Sequence, residues 1–205
     1  YKDETALKWI TETLRPILEH KDKIGEKTVL TQEEFNVAAT MSNSILQGEF
    51  TKPILDEFDG EFQVEIYHDD LKALLDKEQV CHKTKVARVI DFKSTGDYLE
   101  KFKKSILRFG YNYQLSFYSY LLQCKYPTYT ILEPILLVSS VKEPEYAEPF
   151  TLSHKLVKEA EEGWTDQYGN KHKGWRELII IAKNYNQEMY NTELITTGTN
   201  YINEL

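Results

Sequence analysis

Three consecutive runs of alternating residues, each closed by a turn, limit this chain more than any other feature of its sequence. In FQVEIYH, Phe62, Val64 and Ile66 alternate with Gln63, Glu65 and Tyr67, which is the period of a half-buried strand. Asp69 and Asp70 supply a turn, LKALLDKEQV a second strand, His82 to Lys85 another turn, and VARVIDFKST a third strand rich in β-branched residues. Links this short keep neighbours in sequence as neighbours in space, so the three strands form a meander.

Helical spacing surrounds the meander. Upstream, Leu7, Ile10, Leu14, Ile17 and Leu18 predict a helix over residues 4–20, kinked at Pro16. Thr31 and Glu34 have the spacing of a capping box, and Phe35, Ala38, Ala39, Met41, Ile45 and Leu46 continue a second helix to about Leu46. Downstream, Asp97 is placed to cap a helical stretch that breaks near Gly110 and stops at Lys125 before Pro127. ILEPILLVSSV reads as a buried strand and EYAEPF as an edge strand. Ser153 opens a helix to about Glu162, Tyr168-Gly169-Asn170 turns a hairpin, and a final helix runs from Glu177 to about Tyr190. The order predicts an α/β domain with helices flanking a small mixed sheet.

A chain of 205 residues, 41% of them hydrophobic, supports a single core, so one domain is expected over 1–205. Its centre is expected over about 31–140, with a helical and hairpin elaboration over 141–205. No apolar run reaches the roughly 18 to 20 residues of a membrane span, so no membrane role is expected and a cytoplasmic location is. Cys81 and Cys124 stand far apart without a C-x-x-C, which argues against a zinc or iron–sulfur site held by this chain alone. The net charge of −8 weighs against nucleic acid as a partner, but KFKKSILR, from Lys101 to Arg108, gathers four cations and no acid.

The chemistry concentrates in VIDFKST. Asp91 and Lys93 lie two apart on a strand and so leave its same face. One strand earlier, Asp76 sits among apolar neighbours, where an acid is costly unless paired or bound to a cation. Adjacent strands of a meander bring the two acids together, and a hard divalent cation turns their repulsion into a binding site. A lone D-x-K is ordinarily a salt-bridged surface pair. Here Asp76 lies about 15 residues upstream, and Gln114 and Tyr118 project downstream from one helix face at i and i+4.

Together, Asp76, Asp91-Phe92-Lys93 and Gln114-x-x-x-Tyr118 resemble the PD-(D/E)XK nuclease superfamily, in its RecB-like branch of phage recombination exonucleases, over roughly Glu61 to Lys125. The resemblance implies a restriction-endonuclease-like core and a magnesium ion, replaceable by manganese, held by Asp76, Asp91 and the Phe92 carbonyl. Lys93 would orient the attacking water, while Gln114, Tyr118 and Tyr111 would steady the site and the DNA backbone. An upstream acid commonly assists in this family, and Glu65 is placed for it. The family often has Glu where this chain has Asp91, and the histidine that many relatives carry on the N-terminal helix is absent from FNVAATMSNSIL. Ser94, Thr95 and Arg108 are candidate phosphate contacts, and Trp164 and Trp175 are candidates either for stacking on bases or for core anchors.

The implied activity is a metal-dependent deoxyribonuclease, specifically a double-strand exonuclease acting at DNA ends. Its implied partners are duplex DNA, further copies of the chain in a homo-oligomer, and a single-strand annealing protein. Two other readings stay open: a structure-specific RecB-like endonuclease, and a catalytically silent DNA-binding module on the same fold. The CRISPR adaptation nucleases of this branch use four cysteines for a cluster, and the two unpaired cysteines here do not match them.

Overall fold

The structure is a computed structural model and describes residues 30–185. The helix expected over 4–20 and the expected end of the last helix near Tyr190 lie outside these residues. The chain divides into two units, Tyr1–Ala39 and Thr40–Leu205, and the central sheet lies in the second. No helix among the described residues is long and apolar enough to cross a membrane.

Helix α1 (Gln32–Gln47) opens on the expected capping box: the Thr31 N–H donates to Glu34 Oε2 at 2.8 Å, and the Glu34 N–H donates to Thr31 Oγ1 at 3.2 Å. A single turn, α2 (Lys52–Leu55), follows with Pro53 near its start, where a missing N–H costs nothing. Strands β1 (Phe62–His68), β2 (Leu71–Cys81) and β3 (Val86–Thr95) then form the antiparallel meander.

After β3 a 3-10 turn (Leu99–Lys101), α3 (Phe102–Arg108) and α4 (Tyr111–Lys125) carry the chain over one face of the sheet. Gly110, at φ 71°, supplies the left-handed residue that separates the two helices. The chain returns through the two-residue β4 (Thr130–Ile131) into β5 (Ile135–Ser140), which runs parallel to β3 with Asp91 beside Leu136 and Lys93 beside Val138. All six residues of β5 are buried, as a strand covered on both faces requires.

Strand β6 (Ala147–Thr151) pairs antiparallel with β5 at the edge, giving the order β1-β2-β3-β5-β6 with β4 beside β3. Helix α5 (His154–Glu162), the hairpin β7 (Gly163–Thr165) and β8 (Lys171–Lys173), and α6 (175–185) complete the described chain. The fold is thus a mixed α/β sheet flanked by helices.

The expected edge strand EYAEPF is β6, and its Phe150, with Leu152 just beyond it, enters the main core. Two details differ from the sequence expectations. Asp97 does not cap an α-helix; its Oδ1 accepts the N–H of Tyr98, whose backbone is extended, and a 3-10 turn follows. The last helix starts at 175 rather than Glu177, because Trp175 buries its ring in the first turn.

The two faces of the sheet bury different sets. On one, Val64, Leu75, Ala87 and Val89 pack with Leu115, Leu121 and Leu122 of α4, each leucine contributing about 2 kcal/mol by leaving water. On the other, Ile90, Ile135 and Leu137 meet Ile45, Ile54 and Leu55 from α1 and α2.

One buried polar side chain ties α2 to this second face. Gln79 Nε2 donates towards the carbonyls of Ile54, Leu55 and Phe58 at 2.7, 3.1 and 3.2 Å, while Gln79 Oε1 accepts from Arg88 Nη2 at 2.6 Å. Gln79→Leu should therefore destabilise the protein by about 2–4 kcal/mol, since it strands buried carbonyls and half of the Arg88 pairing. Chemical denaturation checks this, and a variant as stable as the parent contradicts the assignment.

Candidate active site

Strands β2 and β3 part company at one point. Their ladder runs from Cys81↔Val86 to Lys77↔Ile90, and the next pair in that register is Asp76 opposite Asp91. Here a side chain takes over from the ladder: the Phe92 N–H donates to Asp76 Oδ2 at 2.9 Å. A β-strand N–H must find an acceptor, and the carboxylate supplies it where the partner strand no longer does.

Asp76 reaches this point because the alternation of β2 slips. Ala73 and Leu75 face the α4 side, and so do Glu78, which binds Lys125 of α4 at 2.9 Å, and Val80. Lys77 turns to the opposite side over the Phe62 ring at 4.2 Å, leaving Leu75 and Asp76 consecutive on the α4 side. Across from Asp76, Gln63 has φ 54°, a conformation uncommon for a residue with a side chain, and donates to Asp76 Oδ1 at 3.4 Å. Local irregularities of this kind in a strand re-aim side chains, and they recur beside functional sites.

Asp91 shares its face of β3 with Ala87 and Val89 and is 2% exposed. Burial pushes its carboxyl up to about 6; the Lys93 ammonium opposes the shift and the adjacent Asp76 carboxylate reinforces it. Lys93 Nζ lies 2.5 Å from Asp91 Oδ2. That contact is a buried ion pair, with the ammonium placed directly against the carboxylate. The Lys93 ammonium also sits 5.1 Å over the ring of Tyr111, on the first turn of α4.

The structure brings Asp76, Asp91, the Phe92 backbone, Lys93 and Tyr111 together. Gln114 Nε2 donates to Tyr118 Oη at 3.0 Å, and neither residue hydrogen-bonds to the aspartates or to Lys93. Glu65 stands on the exposed side of β1, where Tyr67 and Lys72 hold its carboxylate below the ordinary range. Phe92 turns its ring away from α4, stacked on Phe62 with centroids 6.2 Å apart. Ser94 is exposed, whereas Thr95 Oγ1 accepts the Asp97 N–H at 3.2 Å and so holds the turn.

Arg108 is exposed, with its guanidinium 5.3 Å over Phe109. Trp175 is a core anchor, 6% exposed, its Nε1 donating to Ser116 Oγ at 3.0 Å. Trp164 is half-buried and stacks on His172 with ring centroids 4.6 Å apart. Gln63 is the contact that sequence reasoning missed. A glutamine at an outward position of an alternating strand carries no signal for a left-handed backbone.

Among the described residues, no group of three or more His, Cys, Asp and Glu gathers as a metal cluster. The carboxylates at the fork are therefore the pair Asp76 and Asp91. Magnesium is commonly held by one or two carboxylates while keeping several waters, so two adjacent carboxylates, one of them buried, fit such an ion.

No family model and no curated protein sequence matches this chain. Ten solved chains match it by structure. One is a crystal structure named as a putative exonuclease from Eubacterium rectale, 13% identical, with a TM-score of 0.50. The match covers 75% of this chain and 58% of that one, so the chain spans less than two thirds of its length. Similarity at this identity shows the fold, a mixed sheet flanked by helices.

The raised carboxyl of Asp91 has a thermodynamic sign. A carboxyl held above its unfolded value of 3.8 favours the folded state when protonated, and that contribution is lost as pH rises through about 6. With chelator present, Asp91→Asn should gain stability relative to wild type as pH rises from 4 to 7.5, by on the order of 1–3 kcal/mol. Thermal melts across that range test it, and an advantage that shrinks with rising pH refutes the assigned cause.

Proposed function

We propose that this chain is a metal-dependent deoxyribonuclease whose active site is Asp76, Asp91 and Lys93. In its finer form the reading is a double-strand exonuclease of phage-type recombination working on duplex ends in the cytoplasm. The observation that carries it is the fork between β2 and β3, where two carboxylates meet beside one ammonium. A protein gains nothing in stability from such a group, which costs folding energy until a cation joins it.

In this reading Asp76, Asp91 and the Phe92 carbonyl hold magnesium, with manganese able to replace it. Once bound, the ion supplies charge neutralisation on the phosphoryl oxygens and a water of lowered pKa. The protein's own groups do the rest. The Phe92 N–H fixes one oxygen of Asp76 and so aims the other, assisted by Gln63. Lys93 orients the attacking water by donating a hydrogen bond to it, and Tyr111 limits where its ammonium can swing. Gln114 and Tyr118, bonded to each other, offer one face of α4 to the DNA backbone.

Lys103, Lys104 and Arg108 form the cationic strip that meets phosphates, with Ser94 as a hydroxyl contact and Thr95 limited to holding its turn. Glu65 has no part in this reading, because Lys72 and Tyr67 occupy its carboxylate. A homo-oligomer and a single-strand annealing protein as partner belong to the finer reading.

A second reading, a catalytically silent DNA-binding module, is favoured by the small donor set, in which no third acid accompanies the pair. Incubation with linear and circular duplex DNA separates the two. The proposal predicts degradation of the linear form, abolished by chelator and by Asp91→Ala. Nicking of circles indicates an endonuclease, and binding without cleavage in magnesium or manganese supports the silent module. Lys93→Ala should keep divalent-ion binding by calorimetry while turnover falls roughly 10²–10⁴-fold. An unchanged rate removes the lysine from the reaction.

A further inference from the structure

The carboxyl ends of the parallel strands β3 and β5 open onto a cavity of about 490 Å³ that the nuclease reading does not use. It is lined by Phe50, Tyr98, Leu99, Glu100, Glu143, Tyr146, Ala147 and Glu148. Three carboxylates and three aromatic rings thus share one concave surface, with no cation among the lining residues. Its floor, Leu99 and Ala147, is buried at 3% and 7% exposure, while Phe50, Tyr98 and Tyr146 stand 62%, 45% and 66% exposed around it.

The walls come from separate segments braced against each other. Glu143 Oε2 accepts the Leu99 N–H at 3.3 Å, Ser140 Oγ donates to the Asp97 carbonyl at 2.7 Å, and Ser44 Oγ, whose proton goes to the Met41 carbonyl at 2.8 Å, lies 3.4 Å from the Tyr146 carbonyl. Such bracing fixes the rings and acids before a ligand arrives, which lowers the ordering cost of binding. Glu100 and Glu148 are exposed and make no ion pair among the described residues. The Tyr98 ring already carries a cation, the Lys101 ammonium at 5.4 Å, so its π-face is oriented for this kind of contact.

We infer that this cavity docks a basic, lysine- or arginine-bearing segment of a partner protein. The argument is charge complementarity. Carboxylates repel nucleic acid, whereas an aliphatic stem ending in a cation matches both the rings and the acids. The inference does not depend on the nuclease reading.

The test uses the full chain and a fluorescein-labelled octapeptide of alternating lysine and glycine, read by anisotropy at moderate salt. The peptide should bind, and the Glu100→Gln/Glu148→Gln variant should weaken it roughly tenfold. Tyr146→Leu, which keeps an apolar side chain but removes the π-face, should weaken it about three- to fivefold. Glu159→Gln/Glu162→Gln removes the same charge from α5 and should leave binding unchanged. Four of the five positions are exposed and Glu159 is partly so, and unchanged melting curves verify folding. An equal loss in the α5 variant would mean that net charge alone attracts the peptide, which overturns the inference. So would wild-type binding in the cavity variants, or a cavity whose substitutions dissociate a self-associated form without affecting the peptide.

Discussion

A carboxylate only 2% exposed, touching a second carboxylate, is the interaction around which this molecule is arranged. Burial strips Asp91 of water, and Asp76 adds repulsion at the same point, so the pair opposes folding unless positive charge joins it. Lys93 supplies one such charge at 2.5 Å, a single cation against two adjacent carboxylates. Only a rigid surround can hold so unfavourable a group in place. The surround is the fully buried β5 on one side of β3, α4 packed above, and the Phe92 N–H gripping Asp76 from below the fork.

The sheet achieves this by ending one ladder early. While β2 and β3 are paired, their side chains alternate and their backbone groups satisfy each other. Beyond Lys77↔Ile90 that pairing stops, β5 continues beside β3, and the side chain of Asp76 takes over one backbone partner. The slip in β2 and the left-handed Gln63 are the local distortions that accompany the change. In the proposed nuclease, this fork is where the ion and the scissile phosphate would meet, and the cationic strip of α3 would lie along the substrate path.

Much of the architecture was legible in the residues. The period-two runs from Phe62, Leu71 and Val86 gave the meander because each has one buried face, and Thr31 with Glu34 marked a helix start through chemistry local to the chain. The all-apolar run at Ile135 announced a strand covered on both sides. Convergence of Asp76 and Asp91 followed from adjacency in the meander. The left-handed Gln63 was not legible, because a strand interior offers no local preference for that conformation. Glu65 stands on the exposed face of β1, where Lys72 and Tyr67 contact its carboxylate, a pairing that the sequence of one strand does not announce. The early start of α6 at Trp175 depends on packing partners far away in sequence.

The central claim is that Asp76 and Asp91 together bind one divalent cation. Crystals of the protein soaked in manganese, measured for anomalous scattering, address it directly. The account predicts a peak between the two carboxylates, within coordination distance of the Phe92 carbonyl and missing in Asp91→Asn crystals. A fork without a peak while manganese is bound elsewhere on the molecule, or a peak untouched by that substitution, would contradict it.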